Sequence, residues 1–74
     1  MNNLIDKYTY RIEWSEEDQL FIARCLELSG LSAHGNTNEE ALKEIKFVVS
    51  ESVKWLIENE KELPEPLGLK KYKG

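Results

Sequence analysis

The chain has a single cysteine, Cys25, and a single histidine, His34. A lone cysteine closes no disulfide within its own chain, and its use fits a reducing compartment. One cysteine and one histidine cannot supply the usual four-ligand zinc set, so no metal ligands or cofactor are expected. No apolar run approaches the length of a membrane span. The first residues, "MNNLIDKY", lack the basic region and apolar run of a signal peptide. A cytoplasmic protein with no membrane partner is expected. Cations are also in short supply. The net charge is -4, whereas an autonomous nucleic-acid binder normally shows a basic face. The charge suits a basic protein partner, because complementary charge speeds encounter.

With 74 residues, one domain is expected, over 1–66, followed by a tail over 67–74. At this size only about 60% of the unfolded chain's surface is buried on folding. Small domains often gain stability from a staple or a partner. Without disulfide or metal, oligomerisation remains, so a homo-oligomer, dimer or higher, is expected.

Along the chain, Tyr8 to Trp14 alternates apolar and polar residues, the period of a strand with one buried face. The polar stretch Ser15 to Gln19 reads as a hairpin turn. Leu20 to Leu28 is more continuously apolar and suits a central strand with contacts on both faces, although Arg24 needs a way out to solvent. Ser29-Gly30 breaks it, and Leu31 to Gly35 reads as a short third strand near an edge. Gly35 and Asn36 tolerate positive φ and would allow a sharp exit from the strand.

The period then becomes helical. Ala41, Leu42, Ile45, Val48, Val49, Val53, Leu56 and Ile57 form one stripe. Thr37 can cap the N–H of Glu40, and Glu40 can reach back to the N–H of Thr37, a capping box. The helix should run from about Asn38 to about Asn59, with Pro64 and Pro66 barring continuation. The expected fold is α+β: a three-stranded antiparallel sheet with one long helix packed on it. Leu67, Leu69 and Tyr72 leave two endings open, a short fourth strand or an unstructured end.

Catalysis finds little support. Cys25 falls in phase with Phe21 and Ala23, as a small core residue would. Nothing resembles a nucleophile elbow, and no third group is placed to orient His34. The carboxylates Glu13, Glu16, Glu17 and Asp18 do not follow the spacing of a calcium loop; they read as solvated turn charges able to face a partner. Phe47 and Trp55 lie off the apolar stripe, either as a subunit interface or as margin packing. Gly30, Gly35, Thr37 and Glu40 read as structural turn and cap residues.

Taken together, Tyr10 to Ile45 resembles the N-terminal domain of the HicB family of antitoxins. The resemblance rests on Gly30, Gly35, Thr37, Glu39, Glu40, Ala41 and Leu42, followed by "LPEP", Leu63 to Pro66. Ser29 stands where the family often has Pro, and Asn36 where it often has Asp. The resemblance implies a partial RNase H-like fold. It also implies a function: binding a small, basic, RNA-cleaving HicA-type toxin and blocking its active site. The alternative is a stand-alone homo-oligomeric module with a binding or structural role and no toxin. Nuclease activity would need clustered carboxylates holding two metals, and none is apparent on the expected core strands. Many family members carry a C-terminal DNA-binding domain. Only eight residues follow Pro66, too few for one, so no direct DNA binding is expected.

Overall fold

The computed structural model describes residues 3–68. A short helix α1, Asn3–Lys7, leads into β1, Tyr10–Ser15, and β2, Leu20–Cys25. A 3-10 turn, Leu26–Leu28, precedes β3, Ser32–Gly35, and the long helix α2, Asn38–Glu58. The sheet is antiparallel in the order β1-β2-β3. The architecture is the expected α+β arrangement of three strands and one long helix.

The β1–β2 hairpin pairs Tyr10 with Cys25 at its open end and Ser15 with Leu20 at its turn. Gln19 closes that turn at φ 58°, donating its N–H to the Ser15 carbonyl at 2.8 Å. The second strand ends at Cys25, short of the expected Leu28. The chain must reverse before Ser32 can pair with Arg24, and Leu26–Leu28 is spent on that reversal. Leu26 is exposed as a result.

Alternation sends Tyr10, Ile12, Trp14, Phe21, Ala23, Cys25, Ala33 and Gly35 to one face, where α2 packs. The helix leans toward β3 and β2 and touches β1 less. Small residues at the centre of that face let it approach closely. Ala23, Cys25, Ala41, Ile45 and Val49 are fully buried, and Val53 nearly so. The four helical members are spaced four apart, a ridge that drifts about 40° per step. The drift explains Ile57: it continues the ridge in sequence but has rotated off the sheet and is 58% exposed.

Thr37 caps α2, accepting from the Glu40 N–H at 3.0 Å. Glu40 reaches back one residue further than a standard capping box, to the Asn36 N–H at 2.5 Å. The expected positive φ at Gly35 and Asn36 is absent; among the described residues only Gln19 and Glu60 have it. Gly35 is needed for closeness instead. A Cβ there would lie 2.6 Å from the Ala41 nitrogen and 2.8 Å from the Glu40 carbonyl carbon. Gly30 has nothing within 4 Å of such a Cβ.

The other end of α2 closes on Glu60 at φ 55°. The Glu60 N–H bonds the Ile57 carbonyl and the Lys61 N–H the Leu56 carbonyl, the pattern of a Schellman cap. The chain then folds back. Leu63 packs on the core, Pro66 is buried, and Tyr8 Oη donates to the Pro64 carbonyl at 2.8 Å. Leu67 and Gly68 are helical, not extended; Leu69 and Tyr72, the rest of the possible fourth strand, lie outside the described residues.

Candidate interaction surfaces

His34 and Cys25 are on opposite faces of the sheet. Cys25 faces α2 and is fully buried. His34 pairs with Ile22 and is exposed on the uncovered face. The sheet therefore separates the one thiol from the one imidazole. Burial pushes the thiol pKa up, and the neighbouring Glu27 charge adds to this against the backbone N–H groups of Leu28 and Glu27. The protonated thiol donates to Glu27 Oε1 at 3.6 Å.

Glu27 bonds to parts of the chain far apart in sequence, and nothing in the sequence pattern singles it out. Its carboxylate accepts from the Thr9 N–H at 2.8 Å, the Thr9 hydroxyl at 3.0 Å and the Leu67 N–H at 2.9 Å. Partial burial would raise its pKa, but these donors outweigh burial and hold it below its ordinary value. The only hint in sequence is a lone carboxylate between Leu26 and Leu28.

The acidic turn Glu16–Asp18 is exposed. Glu16 accepts from Trp14 Nε1 at 2.8 Å, and Asp18 holds Ser15 through its own N–H and carboxylate. Trp14 meets Phe21 edge-on at 5.1 Å. This turn sits at the same end of the sheet as the start of α2, because Gly35 pairs with Phe21.

Phe47 and Trp55 are 62% and 56% exposed. With Glu51 they form one outward ridge of α2, four residues apart at each step. Lys46 reaches toward α1 and β1, pairing with Asp6 at 3.3 Å and lying over the Tyr10 ring. Trp55 is nine positions further on, about 180° around the helix, and so lies on the β3 flank. It is about 27 Å of helical rise from Thr37. The acidic turn and the aromatic ridge are therefore two surfaces, not one.

A third surface is the uncovered face of the sheet, with Arg11, Glu13, Leu20, Ile22, Arg24, Ser32 and His34. An open cavity of about 530 Å³ runs over it between Asp18, Leu20, Ile22, Ser32, Ala33 and His34. Among the described residues, no three of His, Cys, Asp or Glu converge to hold a metal ion, and no helix is long and apolar enough to cross a membrane. No family model, curated protein or solved structure matches the chain.

Proposed function

We propose that the protein is a HicB-like antitoxin domain that binds a small, basic, RNA-cleaving toxin of the HicA type and covers its RNA-binding or catalytic surface. The observation that carries this reading is the junction from β3 to α2. The residues behind the resemblance, Gly35, Thr37, Glu40, Ala41 and Leu42, are the ones that build it: Gly35 by closeness, Thr37 and Glu40 by capping, Ala41 by burial. Two exposed surfaces are available to such a partner. The Glu16–Asp18 turn offers negative charge to a basic protein, and the Phe47–Trp55 ridge offers aromatic area of the kind that anchors interfaces. The reading places the protein in the cytoplasm, with no DNA or membrane partner.

The test is co-purification with a HicA-type protein followed by an RNA-cleavage assay. An equimolar complex that no longer cuts RNA supports the reading. A toxin that neither binds nor loses activity removes it. The second reading, a stand-alone homo-oligomeric module, draws on the exposure of Phe47 and Trp55, which a second copy could cover equally well.

A further inference from the structure

The chain has only two arginines, Arg11 and Arg24, and the sheet sets them directly opposite each other on β1 and β2. Both project from the face that α2 leaves bare. Like charges opposed on one face destabilise a sheet. Arg11 is paired with Glu13 at 2.6 Å. Arg24 has no ion pair among the described residues.

The same face ends differently at the hairpin turn. Asp18 borders the cavity there, and exposed Glu17 precedes it in the turn; Glu16 is turned to Trp14 on the other face. Half-buried Leu20 and Ile22 lie between the two ends. The face thus carries Arg11 and Arg24 at one end, Leu20 and Ile22 along the middle of β2 with the Arg11-paired Glu13 beside them on β1, and Asp18 at the other end. A surface with that order is complementary to itself when turned end for end.

We propose that the uncovered face docks against the same face of a second copy, about a two-fold axis that crosses β2 between Leu20 and Ile22. The rotation reverses strand direction. It sets Ile22 on the partner's Leu20 and Arg24 over the partner's Asp18, and turns Arg11 toward the partner's Glu17. Each contact occurs twice, so the interface is isologous and closed. The arginines that repel within one copy meet carboxylates in the other. Both α2 helices stay on the outside, with Phe47 and Trp55 still facing solvent. The proposal rests on the expectation of a homo-oligomer, not on the Phe47 and Trp55 ridge, and is independent of any toxin.

Three strands about 4.8 Å apart and up to six residues long offer a face on the order of 300 Å². A standard interface takes roughly 800 Å² per partner. The dimer is therefore weak, in exchange with monomer, and sensitive to salt, because its specificity is electrostatic.

The experiment is sedimentation of the purified full chain over a dilution series at low and high salt. A monomer–dimer equilibrium that weakens with salt is the expected result. Arg24→Glu and Asp18→Arg should each raise the dissociation constant about tenfold or more, and the double variant should bring most of that back. Ile22→Lys should abolish the dimer. All three positions are on the face away from the core, and circular dichroism with thermal melting checks that each variant folds. A monomer at every concentration overturns the proposal. So does a dimer indifferent to all three substitutions, which would assign self-association to the β3 edge or to Phe47 and Trp55. Losses in both single variants with no recovery in the double overturn the Arg24–Asp18 pairing.

Discussion

The Glu27 carboxylate accepts the Leu67 N–H at 2.9 Å, joining chain positions forty residues apart. Because Thr9 donates to the same carboxylate twice, one side chain ties the approach to β1, the exit from β2 and the segment after α2. Tyr8 adds a second tie through the Pro64 carbonyl. These bonds hold the last described residues against the end of the sheet where α2 finishes.

Glu27→Gln tests the tie by pH. The folded-state pKa of Glu27 is depressed, so its contribution is fully present above the unfolded value of about 4.3. It is lost as pH falls through that value toward the folded one. The wild type should therefore lose more stability between neutral and acidic pH than Glu27→Gln does. At neutral pH the variant should be the less stable by about 1–3 kcal/mol, the usual worth of bonds to a charged group. Urea unfolding of both proteins at several pH values decides it. Parallel pH profiles would mean that another carboxylate governs acid sensitivity.

Glu60→Gly should stabilise the protein. Glu60 is the left-handed residue of the Schellman cap at φ 55°, a position that glycine occupies without strain. The left-handed region costs an ordinary L residue about 1–2 kcal/mol, and glycine loses about 0.5–1 kcal/mol in chain entropy. The net gain is roughly 0.5–1 kcal/mol, a rise of a few degrees in Tm for a chain of this size. A melting curve that falls instead would show that the Glu60 side chain contributes more than its backbone costs.

The parts of this fold that are legible in the sequence are those made by neighbours in the chain. The alternation over Tyr8–Trp14 and the Thr37 cap need only local geometry: the helix starts at Asn38 as the cap points, and the strand falls on Tyr10–Ser15, with Tyr8 and Thr9 outside it. The run Leu20 to Leu28 misleads because apolar continuity does not mark where a strand must turn; the pairing of Arg24 with Ser32 decides that. Helix α1 has five residues, too short for a periodic signal, and is held by tertiary contacts such as the bond from Tyr10 Oη to the Ile5 carbonyl. Of the candidate surfaces, the acidic turn and the Phe47 and Trp55 positions are legible as exposed groups. Their separation is not, because it depends on where α2 starts and which way it runs. Glu27 was invisible for the same reason: its donors come from Thr9 and Leu67, far away in sequence.

Gly35→Ala and Gly30→Ala should differ sharply. The added Cβ at Gly35 would meet the backbone of Glu40 and Ala41 at under 3 Å, and backbone at a capped helix start cannot swing aside. The cost should be about 1–3 kcal/mol, as in other overpacked sites. At Gly30 the space is open and φ is not positive, so alanine should be neutral or stabilising by up to about 1 kcal/mol through the unfolded chain. Denaturant midpoints of the two variants check the contrast. Equal losses would refute the view that Gly35 serves closeness and not turn flexibility.

Ile45→Ala and Trp55→Ala separate packing from recognition on the same helix. Ile45 is fully buried against the sheet, and its truncation should cost about 2–5 kcal/mol. That is a large share of the stability of a domain this small, whose total falls toward the low end of about 5–15 kcal/mol. Trp55 and Phe47 are more than half exposed, so Trp55→Ala and Phe47→Ala should each change the stability of the isolated chain by under about 0.5 kcal/mol. Their loss should appear only in association: an aromatic anchor at an interface is worth about 2 kcal/mol or more when truncated. Unfolding curves measured on the chain alone, then titrations against a HicA-type partner, separate the two effects. If Trp55→Ala destabilises the isolated chain as much as Ile45→Ala does, the ridge packs within the monomer, and the proposed basic partner is left the Glu16–Asp18 turn.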